Sequence, residues 1–115
     1  MHELSIALSI VETAAEQAER LGGAQVLAVH LKLGPLAGVV KEALLGSYEL
    51  ATENSPLAGS KLVIVETALR AYCPQCMQER AVVSVTEICC LECGTPTPQI
   101  TSGRELEVTA MEISQ

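Results

Sequence analysis

Every cysteine of the chain falls between Cys73 and Gly94, in the stretch CPQCMQERAVVSVTEICCLECG. Two Cys-x-x-Cys pairs, Cys73/Cys76 and Cys90/Cys93, stand 13 residues apart. A two-residue gap lets both sulfurs of a pair reach one ion while the amides of the turn brace them. Two such turns facing each other form the tetrahedral thiolate cage that a structural Zn²⁺ takes. Gly94 directly follows Cys93, where the turn favours a positive φ, whereas Met77 occupies the corresponding place after Cys76. Cys89 adjoins Cys90 and competes for the same vertex. Keeping the Cys-x-x-Cys spacing assigns Cys73, Cys76, Cys90 and Cys93 as zinc ligands and leaves Cys89 as a spare thiol or substitute ligand. Two disulfides would suit a secreted chain, but the opening MHELSIAL has no basic segment ahead of a long apolar run. A redox pair would account for one Cys-x-x-Cys and not for two.

The first three residues form a second set of donors. In Met1-His2-Glu3, a free α-amine, the amide nitrogen of His2 and its imidazole Nδ1 can close fused chelate rings, with the Glu3 amide or carboxylate as a further donor. Such a nitrogen-rich, planar set suits Ni²⁺ or Cu²⁺. The residues alone leave a plainer reading open, in which His2 is a frayed terminus and Glu3 a first-turn carboxylate favoured by the helix dipole. His30, on a strand beside Lys32, reads as a solvent-face residue without a role.

These donors must be positioned by an aliphatic fold. The 115 residues suffice for one core, or for a small domain carrying a metal-stapled insertion. There is no Phe or Trp and only two tyrosines, so packing rests on Leu, Val, Ile and Ala, and a structural zinc would offset the shortfall in large side chains. The formal charge of −7, with seven Lys and Arg scattered singly, repels phosphate backbones and argues against nucleic acid as partner. No apolar run is long enough to span a bilayer, and paired reduced cysteines point to the cytoplasm.

From Leu4 to Leu21, Leu4, Leu8, Val11, Ala15 and Ala18 recur at helical spacing against a stripe of Ser5, Ser9, Glu12, Glu16 and Glu19, and Gly22-Gly23 ends the helix. Gln25 to Leu33 alternates as a half-buried strand, with Leu27, Val29, Leu31 and Leu33 on one face. Gly34-Pro35 breaks it. A second helix runs from Val39 to about Glu53, its apolar face read through Val40, Ala43, Leu44, Ser47 and Ala51; Gly46 within it marks either close packing or a tolerated glycine. Strands follow at Lys61–Leu69 and, after the cysteines, at about Glu105–Ile113. The order predicts an α/β fold: a small three-stranded sheet packed by two helices, with an inserted zinc-ribbon-like domain. No nucleophile–base pair, phosphate-cradling glycine loop or carboxylate dyad stands out, so the chain reads as a binding protein and not an enzyme.

Taken together, MHELSIA, LKLGPLAGVVKEAL, the strand leading into the two Cys-x-x-Cys pairs, and SGRELEVTAMEI resemble the HypA family of hydrogenase nickel-incorporation proteins over essentially the whole chain. The resemblance implies a nickel-binding α/β domain, residues 1–69 plus 104–115, and a zinc-binding domain, residues 70–103. It makes His2 the principal nickel ligand, with the Met1 amine and the Glu3 backbone or side chain near it, and puts Cys73, Cys76, Cys90 and Cys93 at the family's zinc positions. The implied function is metallochaperone: Zn²⁺ is structural, and Ni²⁺ is cargo for the large subunit of a [NiFe]-hydrogenase, delivered alongside the GTPase HypB; some relatives also serve urease. Without the nickel role, the same residues describe a structural zinc-ribbon adaptor or, using one cysteine pair, a small thiol oxidoreductase.

Overall fold

The computed structural model of the chain describes residues 2–114. Helix α1 (Glu3–Arg20) places Glu3 in its first turn and Arg20 in its last, each complementing the helix dipole. It stops where Gly22 and Gly23 turn left-handed, at φ 84° and 77°, and return their amides to Glu19 and Ala18. The buried stripe is Ala7, Ile10, Val11, Ala14 and Ala18. It is rotated from the stripe expected through Leu4 and Leu8, which are 44% and 51% exposed. Apolar residues cover a wide arc of this helix. The alanine-rich part of that arc faces inward, where short side chains let α1 and its neighbours approach closely, and the leucines are turned out.

Strand β1 (Gln25–Leu33) lies at the centre of a three-stranded sheet ordered β2-β1-β7, with β2 at Lys61–Glu66 and β7 at Leu106–Ser114. Its central place explains why Val26 and Ala28 are buried as well as Val29 and Leu31, which alternate with them, while Leu27 is exposed. Helix α2 (Lys41–Thr52) packs on α1 and buries Leu44, Tyr48 and Thr52, a clean i, i+4, i+8 row. The face read from the sequence included Ala43, which is exposed. Tyr48, 2% exposed, is the largest fully buried side chain, and its hydroxyl shares a 2.7 Å hydrogen bond with Ser60 Oγ. Burial raises the Tyr48 pKa, with the Ser60 bond pulling the other way. A Cβ on Gly46 would meet nothing within 4 Å, so this glycine is tolerated and serves no close packing.

The chain divides into two units: Met1–Lys32, Val39–Val65 and Glu107–Gln115 form one, and Leu33–Gly38 with Glu66–Leu106 the other. The second unit holds an antiparallel four-stranded sheet ordered β5-β4-β3-β6, built from β3 (Arg70–Cys73), β4 (Gln78–Ser84), β5 (Glu87–Cys90) and β6 (Ile100–Ser102). The hairpin between β4 and β5 is closed by Ser84 Oγ, which accepts from the amides of Thr86 and Glu87.

Within this unit, three segments distant in sequence are stitched at a pair of glycines. Gly34 N–H donates to the Glu105 carbonyl at 2.8 Å and Leu36 N–H to the Gly103 carbonyl at 2.7 Å. A Cβ on Gly34 would run into the Gly103 carbonyl and come within 2.7 Å of Glu105 Oε1. Glu105 in turn accepts from Thr67 Oγ1 (2.7 Å), Gly103 N–H (2.8 Å) and Ser102 Oγ (3.1 Å). With the Thr67 hydroxyl as the largest cause, then main-chain amides, its carboxyl is held down at about 2.

Candidate metal centre

The cage is built by two turns of the same backbone shape. The first joins β3 to β4: Cys73 pairs with Gln78 across the ladder, and Met77 N–H returns to the Cys73 carbonyl at 2.7 Å. The second follows β5, with Gly94 N–H returning to the Cys90 carbonyl at 2.8 Å. Each turn closes through a left-handed residue, Gly94 at φ 76° and Met77 at φ 57°. Met77 therefore takes the conformation a glycine would adopt more readily.

These turns bring the Sγ atoms of Cys73, Cys76, Cys90 and Cys93 within 4.8 Å of one another. Separations of 3.5 Å (Cys73–Cys93), 3.8 Å (Cys76–Cys93) and 4.0 Å (Cys76–Cys90) bracket the edge of a tetrahedron with Zn–S bonds of about 2.3 Å, roughly 3.8 Å. The donor set fits a structural metal such as zinc. No cysteine is in a disulfide. Cys89 lies outside the four-sulfur cluster, half-buried, at an isolated bridge to Pro96.

Polar groups flank three of the sulfurs. Cys76 N–H points to Cys73 Sγ at 3.4 Å, Cys93 Sγ and Thr95 Oγ1 are 3.2 Å apart, and the Arg80 guanidinium interacts electrostatically with Cys76 Sγ. Four thiols this close cannot all ionise without a cation, and they separate accordingly. Cys93 is drawn down to about 6, first by the Thr95 hydroxyl and then by the Thr95 amide. At Cys76 the Arg80 bond pulls downward, but desolvation and the sulfurs of Cys73, Cys93 and Cys90 outweigh it, and the thiol is pushed up to about 11. Neither Thr95 nor Arg80 was singled out as part of the site from the sequence.

At the other candidate site, Met1 lies outside the described residues. His2 is exposed, in extended backbone (φ −92°, ψ 116°) as the N-cap of α1, and its imidazole makes no capping hydrogen bond. Its carbonyl accepts from Ile6 N–H, which starts the helix and leaves the first amides without main-chain acceptors. The Glu3 carboxylate is engaged: Oε2 accepts from Val40 N–H at 3.1 Å, which, with its own backbone N–H, lowers its pKa. Val40 is the N-cap of α2, so this carboxylate ties together the starts of both helices. His30 Nε2 lies 2.7 Å from Glu112 Oε2, a strand-to-strand pair remote in sequence from either site.

The family profile described as "Hydrogenase/urease nickel incorporation, metallochaperone, hypA" matches residues 1–113. Hydrogenase maturation factor HypA of Chloroflexus aurantiacus is 45% identical over 112 residues, which are 97% of this chain and 98% of that protein. Among solved structures, the nickel metallochaperone HypA of Helicobacter pylori superposes with a TM-score of 0.66 at 23% identity, covering 98% of this chain and 97% of that one. Another HypA solution structure gives 0.73 at 22% identity over 99% and 97%.

Proposed function

The chain belongs to the HypA family, and on that premise we propose that it captures Ni²⁺ at its N-terminus and hands it on during maturation of a [NiFe]-hydrogenase. The observation that carries this reading is His2: an exposed imidazole, committed to no cap, beside amides that the start of a helix leaves without main-chain acceptors. Recruiting those amides breaks no helical hydrogen bond. The donors are the His2 imidazole, the main-chain nitrogens of His2 and Glu3 and the Met1 α-amine. Glu3 contributes through its backbone, because its carboxylate is occupied by Val40. Nitrogen donors must lose protons to bind, so affinity falls as pH falls, and a site with one side-chain ligand can be dismantled by a competing partner.

Zn²⁺ held by Cys73, Cys76, Cys90 and Cys93 braces the second unit and takes no part in transfer. The chain works by capture and release, without catalysis; nucleotide hydrolysis falls to a GTPase partner, HypB, and the nickel passes to the hydrogenase large subunit in the cytoplasm. Leu4 and Leu8, turned outward on the first turns of α1, give that partner an apolar foothold beside His2.

Calorimetric Ni²⁺ titration of untagged protein with its zinc counted beforehand, run beside His2→Ala, tests the reading. The parent is expected to bind with a dissociation constant of about 1 μM or tighter. The variant is expected to bind at least about 100-fold more weakly, since losing even an outer-shell group costs up to that much, while keeping its zinc. Equal, weak nickel binding by both would leave a zinc-ribbon adaptor as the better description.

A further inference from the structure

Strand register puts one cation on the metal face of the four-stranded sheet. Ala71 pairs with Arg80, and Cys73, two residues along β3, pairs with Gln78. On the other side of β4, Val82 pairs with Cys90. Side chains of paired residues, and of residues two apart, share a face. Arg80 therefore stands on the same face as Cys73 and Cys90 and between the strands that carry them. That face is the unit's interior: Ala71, Cys73 and Cys90 are 0% exposed and Val82 8%. The second turn is also pinned to β4 beside this residue, through Leu91 N–H to the Ala81 carbonyl at 2.9 Å.

An arginine is an expensive choice for such a face. Its Nε is buried and has no hydrogen-bond acceptor among the described residues. Arg80 as a whole is half-exposed, and a cation on such a face is favoured where negative charge lies close to it. The guanidinium interacts most strongly with Cys76, and Glu92 and Cys90 add negative charge nearby. Four thiolates around one divalent ion leave an excess of negative charge, and a thiolate that accepts a charged hydrogen bond is a weaker nucleophile.

We propose that Arg80 is the built-in counter-charge of the four-cysteine centre, a positioning residue that donates to Cys76 and keeps this half-exposed thiolate from reacting and releasing the metal. The inference rests on the zinc reading given above. It assigns the centre an inertness of its own: electrophiles and competing chelators meet a screened sulfur at the one ligand that the fold leaves half-covered besides the exposed Cys93.

The test compares the parent with Arg80→Met, Arg80→Gln and Arg80→Lys. Zinc per chain is counted by atomic emission and folding checked by far-UV circular dichroism. Zinc release into a colorimetric chelator is then timed under excess iodoacetamide, and the order of cysteine labelling is read by peptide mass mapping. The uncharged variants are expected to release zinc about tenfold faster or more, the scale of one charge-assisted hydrogen bond, with Cys76 becoming the earliest labelled cysteine; the Lys variant should fall between them and the parent. The Gln variant keeps length and a donor, so the comparison survives if the Met variant does not fold. Release at the parental rate, or faster release with all four cysteines labelled in step, overturns the role of Arg80 and leaves the zinc reading intact. A parent that carries no zinc overturns the zinc reading, and this inference with it.

Discussion

Replacing Gly34 by Ala places a methyl group where the backbone of Gly103 already passes. The obstacle is main chain and cannot rotate away, and a flexible carboxylate, Glu105 Oε1 at 2.7 Å, closes another side. Relief requires the two segments to separate, which stretches the bonds from Gly34 N–H to the Glu105 carbonyl and from Leu36 N–H to the Gly103 carbonyl. Each is worth about 1 kcal/mol net, and over-packing adds about 1–3 kcal/mol. The expected loss is therefore about 3–5 kcal/mol, a large share of the roughly 5–15 kcal/mol that holds a typical domain. Urea unfolding at neutral pH, followed by far-UV circular dichroism with zinc content matched between parent and variant, measures it. A loss below about 1 kcal/mol, with an unchanged denaturant slope, would refute the argument, because it would mean the seam yields to a methyl without breaking its hydrogen bonds.

Gly46→Ala should act in the opposite direction: it lies in the interior of α2 with open space around its Cβ position, so the melting midpoint should rise, for a gain of about 0.5–1 kcal/mol. Glu105→Gln should lower stability at neutral pH, and its gap to the parent should close on acidification. The Glu105 carboxyl sits at about 2, below its ordinary value of 4.5, so its stabilising effect is complete above the higher figure and fades as pH falls from there through the lower one. Denaturant midpoints of the pair at several pH values check this, and a gap that stays constant down to pH of about 2 would contradict it.

What could be read from the sequence was whatever repeats over a long element. Helix α1, strand β1 and strand β7 lie within a residue or so of the expected bounds, because each shows a sustained period in its apolar residues. Which part of a wide apolar arc faces inward was not legible. Leu4 and Leu8 are the larger hydrophobes, yet Ala7 and Ala14 are buried, since the choice is made by how closely the neighbours approach. Tyr48 and Thr52 were missed for a related reason: each carries a polar atom that looks surface-seeking until its partner is known, Ser60 Oγ for the one and the Glu49 carbonyl for the other. The strands of the cysteine unit are three to seven residues long, too short for a period to register, and they are ordered by turns and sulfur atoms. In the candidate centre, the cysteine spacing was visible at once. The Thr95 hydroxyl and the Arg80 guanidinium were not, because their part depends on strand register and on what lies across it.

The two turns that end in Met77 and Gly94 follow one backbone path, each closed by the same return bond. These turns hold the four sulfurs at spacings close to the edge of a zinc–sulfur tetrahedron. Such a frame discriminates by shape. An ion content with four soft donors in a tetrahedron is accommodated at once, whereas one that prefers a square plane of nitrogens must distort either itself or two braced loops. If Ni²⁺ is the cargo and Zn²⁺ the resident ion, as proposed above, the mobile ion must not lodge in the permanent seat. On the reading proposed above, the tetrahedral spacing of four soft donors disfavours the ion that prefers nitrogen and keeps it out of the permanent seat.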